Sequence, residues 1–461
     1  MKRLLALLVV IVLASAGFAA WYFPKKRQTP LPADLTIAFT GDVHGRLVPC
    51  GCFSGQMGGL TRIATLLDGI VPASSLRLDV GNTIEGPADY QRIQYRYLLQ
   101  AFHDMGYEAA NLGHAEARLS AAQIRELKAQ SPVRLLSANL LDRTSGTRIL
   151  DAYRIVERCG WRVAIVGVMD EHAAADTLGE GLAIEPMEAA LGRLLPEVRK
   201  QSDFMILLAF TDEAGLHRLA RDFYEFQVIL GGKVSQPAQK LEHENRSAIL
   251  YTTNQSRALG TLEVTLTAPG KLTTKSGDVM LVNDHIPEAD EIRKLARKYR
   301  DEVRTTKLDI DDPAKLQDDL VPGVKSAARY VGSESCIVCH RAATDIWQKT
   351  GHAHAFNTLV RAGADADPNC IGCHTVGFGT PTGYRREYGP KTLTDVGCEN
   401  CHGPGSLHVE QHRLGKEITA HFRKIGAGDC QKCHHGEFSR PFDWNSFWPV
   451  IAHGLDAPKM Q

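Results

Sequence analysis

Net charge is the first thing this sequence lacks. Its 461 residues carry 53 lysines and arginines against 53 aspartates and glutamates. No overall field therefore draws the chain to nucleic acid or to an anionic membrane surface, and nucleic acid is not an expected partner. Long apolar runs are missing beyond Tyr330, where short pieces punctuated by Gly and Pro take their place. Hydrophobic burial alone gives that region no core, so something else must supply one. Methionine is scarce in the same region: after Met280 the next is Met460, one residue from the end. A single hydrophobic core is also excluded, because 461 residues exceed what one core organises, and two or more domains are expected.

One long apolar run does exist, at the N-terminus. Met-Lys-Arg precedes a stretch from Leu4 to Phe23 that only Ser15 and Gly17 interrupt, and Pro24-Lys25-Lys26-Arg27 follows. Twenty residues at a rise of about 1.5 Å span about 30 Å, enough to cross a bilayer. The leading basic residues place that end in the cytoplasm and export the remainder. Residues 1–28 are expected to be an uncleaved anchor to the inner membrane, or a signal peptide cut near Ala14-Ser15-Ala16 or Ala19-Ala20. In both cases the body works in the periplasm or beyond it.

From residue 34 to 285, apolar runs at 35–40, 76–80, 162–168, 204–210, 227–230 and 248–252 read as strands. Between them, 59–69, 91–105, 187–200 and 213–224 carry apolar residues at helical spacing. This alternation predicts an α/β domain with a largely buried sheet, closed by a hairpin at 260–282. Residues 286–328 read as a partly helical connector, too polar for a core of its own. Residues 329–461 form the last domain, small and mostly α-helical or irregular.

Cysteine and histidine crowd into that last domain. Eight of eleven cysteines lie between Cys336 and Cys433, and eleven of eighteen histidines lie beyond residue 335. They spell one pattern four times: Cys336-Ile-Val-Cys339-His340, Cys370-Ile-Gly-Cys373-His374, Cys398-Glu-Asn-Cys401-His402 and Cys430-Gln-Lys-Cys433-His434. Cys-x-x-Cys-His is the c-type haem attachment pattern. Two thiols three residues apart bond the vinyl groups on one porphyrin edge, and the next histidine turns its imidazole onto the iron as proximal ligand. Structural zinc uses Cys-x-x-Cys pairs without an obligatory histidine after each, and a thioredoxin-like motif would occur once. The expected cofactor is therefore four haems c. About thirty residues serve each one, so the haems form most of the interior and lie close enough for electrons to hop between them. With methionine unavailable, mainly bis-histidine, low-potential haems are expected. Their distal ligands come from His352, His354, His408, His412, His421, His435 and His453.

Residues 329–461 resemble the tetrahaem cytochrome c-554 family. The phrases that carry the resemblance are Tyr330-Val331-Gly332-Ser333-Glu334-Ser335-Cys336, Trp347 through Gly351-His352-Ala353-His354-Ala355, Cys370 to Gly379, and Cys398 through Gly403-Pro404-Gly405-Ser406-Leu407-His408. The resemblance implies distal ligation by His352 and His408, and a late histidine before Gly matches His453. It gives the fourth haem no clear partner, since this family can leave one iron five-coordinate. His354 and His435 stand in reserve.

In the first domain, Thr40-Gly41-Asp42-Val43-His44-Gly45 follows a strand. An Asp-x-His loop there suits a metal, because both side chains project from one sharp turn. Residues 34–285 resemble the catalytic domain of the 5′-nucleotidase group of calcineurin-like metallophosphoesterases. The matching phrases are Gly58-Gly59-Leu60-Thr61-Arg62, Leu78-Asp79-Val80-Gly81-Asn82, Gly106-Tyr107 through Leu112-Gly113, Val228 to Gly232, and Leu259-Gly260. The resemblance implies a layered sandwich with a two-metal site, from which this sequence departs. Asn82 stands where the family has a bridging Asp; Asn-His-Glu reads His114-Ala115-Glu116; a ligand histidine is Phe210; and a late His-x-His is Lys233-Val234-Ser235. Asp42, His44, Asn82 and His114 remain as a degenerate set for a divalent metal. Cys159 is expected to pair with Cys50 or Cys52 of the Pro49-Cys50-Gly51-Cys52 loop, the alternative being a thiolate or redox site there.

The sequence thus predicts a membrane-associated periplasmic cytochrome that passes electrons between donor and acceptor proteins, behind a scaffold that has lost its phosphoesterase site. The alternatives are a haem reductase of a small nitrogen or sulfur compound, and a phosphoesterase using Asp42, His44 and His114.

Overall fold

The computed structural model describes residues 29–49, 56–174, 177–234, 236–316, 328–387, 391–420, 422, 425–434 and 442–454. The apolar segment 1–28, Cys50, Cys52, Ser235, the connector's 317–327, His421 and His435 lie outside the described residues. No helix among those described is long and apolar enough to cross a membrane.

Fourteen strands build the first domain: β1 Ala33–Thr40, β2 Ser75–Asp79, β3 Ala109–Asn111, β4 Arg134–Leu136, β5 Leu140–Asp142, β6 Tyr153–Arg158, β7 Trp161–Met169, β8 Leu182–Ile184, β9 Phe204–Phe210, β10 Val228–Gly231, β11 Glu242–Glu244, β12 Ser247–Tyr251, β13 Ala258–Ala268 and β14 Lys271–Leu281. Two six-stranded sheets result, ordered β14-β13-β1-β2-β3-β4 and β11-β12-β10-β9-β7-β6, with β5-β8 as a small pair. β1 to β4 are parallel, and the expected closing hairpin β13-β14 adds antiparallel to β1. β7, β9, β10 and β12 are parallel, flanked by antiparallel β6 and β11.

Parallel strands buried on both faces should read as continuous apolar runs. Phe204–Phe210, buried at every position, is the clearest case. Leu35, Ile37, Val264 and Leu266 of one sheet share an apolar interior with Val163, Phe204, Ile206 and Val228 of the other. Each large side chain buried there stabilises the fold by about 1.5–3 kcal/mol. Asn111 ties the sheets with one amide group, its Nδ2 donating to the carbonyls of Val80 (2.9 Å) and Val168 (2.8 Å). The predicted helices appear as α1 Leu60–Leu67, α2 Asp89–Asp104, α4 Met187–Gln201 and α5 Glu213–Asp222, joined by α3 Ala121–Gln130. The periodicity missed α3 and the three-residue strands, which are too short to show a period.

The helix expected in the connector is present, and it docks on the first domain. Helix α6 Asp290–Thr305 buries Ile292, Leu295, Ala296, Tyr299 and Val303 along one stripe. That stripe packs on α1 and α2, and Tyr299, Val303 and Leu308 gather with Tyr90, Ile93 and Tyr97. A helix that is polar on average still docks when its few apolar residues share a face. Its other side grips the C-terminal domain. Arg304 makes a two-pronged pair with Asp365 (2.9 and 2.7 Å), and Tyr299 donates to Asp367 (3.0 Å). Arg386 reaches back from the C-terminal domain to Asp311 (Nε, 2.9 Å) and to the carbonyls of Val303 (2.7 Å) and Thr306 (2.9 Å). Arg386 and Asp311 side chains are only 3% and 7% exposed.

The C-terminal domain has little apolar core of its own. Its cluster of buried apolar side chains is Leu359, Ala364, Ile371, Val376, Tyr384 and Leu393. Short helices carry the rest: α7 Glu334–Ile337, α8 Arg341–Trp347, α9 Ala355–Ala362, α10 Pro368–His374, α11 Cys398–His402, α12 Ser406–Arg413, α13 Ala427–Cys430 and α14 Trp444–Ile451.

Removing one partner of a buried ion pair strands the other's charge, at a cost of about 3–5 kcal/mol. Arg386→Ala should therefore lower the temperature at which the two domains separate, read by calorimetry of the full chain. An unchanged melting profile would show that Arg386 is no clamp.

Candidate functional site

Four one- or two-turn helices present the Cys-x-x-Cys-His motifs. Cys336 lies on α7, Cys370 to His374 on α10, Cys398 to His402 on α11, and Cys430 at the end of α13. Helical spacing puts the two cysteines of a motif on one side, with the histidine at the exit. Asp367 caps α10, its carboxylate accepting from the N–H of Asn369 (3.1 Å), and Tyr299 of α6 holds that same carboxylate.

Three motif histidines face a second histidine. Ring centres are 6.3 Å apart for His340 and His408, 5.9 Å for His352 and His434, and 5.8 Å for His402 and His453. A metal bound on both sides by imidazole nitrogens at about 2.0–2.1 Å sets ring centres about 6 Å apart. Nδ1 of His408 donates to the Ala420 carbonyl (3.3 Å), Nδ1 of His453 to Ile451 (2.8 Å), and Nδ1 of His374 to Ala355 (2.7 Å). A proton held on Nδ1 leaves Nε2 with the lone pair an iron needs. No histidine among the described residues stands opposite His374, and His354 is exposed.

The motifs also meet one another. The thiol of Cys336 lies beside that of Cys398 and the thiol of Cys373 beside that of Cys433, with Cys401 near Cys430. Six of the twelve large exposed apolar side chains among the described residues fall here: Val338, Val360, Leu407, Leu414, Phe422 and Val450. Paired thiols, facing imidazoles and uncovered apolar surface together fit haem c.

The first domain's loops converge at the carboxyl ends of β1 and β2. Asp42, His44 and Asn82 all take the left-handed conformation, at φ 54°, 48° and 64°. Such strain in non-glycine residues persists only where the surroundings enforce it. Nδ2 of Asn82 lies 2.5 Å from Oδ1 of Asp42 and 2.7 Å from Nε2 of His44, which are themselves 2.8 Å apart. Oδ1 of Asn82 accepts from the N–H of Ala115 (2.7 Å). The buried Glu116 braces the same loops, accepting from the N–H groups of Asn82, Thr83, Ile84 and Gly113 at 2.7–3.1 Å. Below them, burial pushes the carboxyl of Asp79 up to about 7 despite the hydroxyls of Thr40 and Thr83 and the N–H of Gly81. Burial pulls His44 down, but Asp42 outweighs it and the net direction is up.

This donor set does not fit a divalent cation. The amide nitrogen of Asn82 sits where a cation shared by Asp42 and His44 would sit, and an N–H group repels a cation. His114 does not join them. Its Nε2 donates to the Asp170 carbonyl (2.9 Å), its ring stands edge-on to Phe210, and burial and Lys233 hold its pKa down. Lys233 pairs with the Asp170 carboxylate at 3.0 Å. An amide beside Asp42 and an ammonium beside Asp170 thus lie among the residues of these loops. The pairing expected of Cys159 falls on Cys50 and Cys52, which lie outside the described residues; the Cys159 thiol itself lies 3.5 Å from the Asp34 carbonyl at the amino end of β1.

Comparison with known proteins agrees with both halves. Residues 335–403 match the family described as Cytochrome c554 and c-prime, which implies covalently bound haem c. Cytochrome c-554 of Nitrosomonas europaea is 38% identical over 114 residues, 22% of this chain and 47% of that protein. The 5′-nucleotidase of Vibrio cholerae is 24% identical over 218 residues, 45% of this chain and 38% of that one. The chain thus spans less than half the length of either relative. The crystal structure of a 5′-nucleotidase precursor from Thermus thermophilus superposes with a TM-score of 0.51 at 22% identity, covering 59% of each chain. That likeness establishes the fold of the first domain. The class is a c-type cytochrome segment joined to an α/β domain of metallophosphoesterase fold. More particularly, the C-terminal part is cytochrome c-554-like and the N-terminal part 5′-nucleotidase-like.

Asn82→Asp removes both amide donors and sets a second carboxylate beside Asp42. The variant should melt lower than the parent without metal and recover with millimolar Mn²⁺, while the parent ignores Mn²⁺. A parent protein that gains several degrees with Mn²⁺ would contradict the substitution of cation by amide.

Proposed function

We propose that this protein is an exported electron carrier whose C-terminal domain holds four covalent haems c, three of them between two histidines. The observation that carries the proposal is the set of three facing pairs, His340–His408, His352–His434 and His402–His453, each joining a motif histidine to one outside the motifs. Bound haem supplies one-electron chemistry at iron. The chain's own residues do the rest. Cys336 and Cys339, Cys370 and Cys373, Cys398 and Cys401, and Cys430 and Cys433 would each anchor one macrocycle. Backbone carbonyls of Ala355, Ala420 and Ile451 fix ring tautomers, and apolar side chains such as Val338 and Phe422 exclude water. The close thiol pairs support a row in which the first motif neighbours the third, the third the fourth, and the fourth the second. Such a row suits relay between a donor and an acceptor protein. The run from Leu4 to Phe23 would export the body to the periplasm and, if uncleaved, keep it at the inner membrane.

A second reading follows from His374, which has no facing histidine among the described residues. The iron it holds would keep an open position for a small nitrogen or sulfur compound, the mark of a reductase. The first domain is proposed as a scaffold without hydrolytic activity, because Asn82 and Lys233 occupy the cations' places.

The test is spectroscopic. His408→Ala, His352→Ala and His453→Ala should each convert one low-spin haem to high spin by electron paramagnetic resonance, and His354→Ala should convert none. Mass spectrometry of the purified protein should show four haems. Fewer than four, or a spectrum indifferent to all three substitutions, would remove the ligand set.

A further inference from the structure

Glu399 is one of the two variable residues in the third motif, a position the attachment chemistry leaves open. It is buried, with 4% of its surface exposed. Its carboxylate accepts from the N–H of Val331 (3.0 Å), of Gly332 (2.8 Å) and of Gly405 (2.7 Å). Among the described residues no lysine, arginine or histidine pairs with it, so backbone dipoles alone solvate its charge.

Those three contacts join parts that serve two different motifs. Glu399 rides on α11 between Cys398 and Cys401. Val331 and Gly332 lead directly into α7 and Cys336, whose thiol meets that of Cys398 and lies 4.0 Å from the Gly332 carbonyl. Ser333 adds a further tie, its hydroxyl accepting from the N–H of Cys398 at 3.1 Å. Gly405 caps α12, the helix that carries His408 to its place opposite His340. One carboxylate therefore sets the third motif, the entry to the first motif and the distal arm of the first motif in a single frame.

We infer that Glu399 is a positioning residue for the first and third haem sites, and that its fixed charge holds their potentials below those of the other two. The inference rests on the four-haem reading above. The step concerned is simple: one electron enters, Fe(III) becomes Fe(II), no bond breaks and no proton moves. Each reduction adds negative charge close to a buried carboxylate that no cation offsets. Coulomb repulsion in a poorly hydrated interior opposes that change. Removing the charge must ease reduction at the nearest irons and leave the distant ones alone.

The experiment is a redox titration of the full haem-loaded chain in three forms. In Glu399→Gln, two of four potentials should rise by roughly a tenfold change in reduction equilibrium, about 59 mV for one electron, with the other two unmoved. Glu399→Asp keeps the charge and should stay near the parent. Four unmoved potentials in a fully loaded Glu399→Gln, an equal shift of all four, or an equal response of Glu399→Asp would overturn the inference. If Glu399→Gln loads incompletely, peptide mass spectrometry decides: loss confined to the first and third motifs supports positioning, and loss spread over all four refutes it. A parent protein with fewer than four haems would fail the functional reading instead.

Discussion

Imidazole rings held about 6 Å apart, on helices too short to be stable alone, are what the C-terminal domain is organised around. Helices of four to eight residues lie below the length at which a helix is marginal in water, and the cluster of six buried apolar side chains among the described residues is too small to order some 130 residues. The facing histidines and paired thiols are therefore the reason for the local structure rather than its product. Short helices carry the Cys-x-x-Cys-His motifs, and His408, His352 and His453, from outside the motifs, come to face His340, His434 and His402. Packing that elsewhere comes from leucine and valine would here come from porphyrin, which explains why Val338 and Val450 stand 72% and 63% exposed in the polypeptide alone.

The first domain obeys the opposite economy. Its central strands are apolar and buried, and their packing is separate from the strained loops at the carboxyl ends of β1 and β2. Asn82 and Glu116 hold those loops, the first through Asp42 and His44 and the second through four backbone N–H groups. Three residues at positive φ survive in this way with hydrogen bonds where coordination bonds would otherwise pull.

Much of this was legible in the chain. Continuous runs such as 204–210 announced buried strands, and four repeats of one pentapeptide announced the cofactor. The Asp-x-His loop at Asp42 and His44 was placed correctly at the end of a strand, with Asn82 beside it. What the residues did not announce were contacts between distant parts of the chain. Glu399 looks like any variable position inside a motif, and its role appears only when Val331 and Gly405 fold onto it. Arg386 and Asp311 look like surface charges until α6 covers them. Pairing of His352 with the fourth motif, rather than a nearer one, is likewise a property of the path of the chain.

The order of the thiol contacts gives the fusion of the two domains a physical sense. A row running from the first motif to the third, the fourth and the second has two ends. At one end, Cys336 belongs to α7, just after the segment that Glu399 holds. At the other, α10 carries His374, and its cap Asp367 is gripped by Tyr299 of the helix packed on the first domain. The motif whose histidine faces no other among the described residues is thus tied to the helix packed on the sandwich, where Arg304 and Arg386 also fasten the interface. The sandwich, clamped through Tyr299, Arg304 and Arg386, therefore holds that end of the C-terminal domain in a fixed frame.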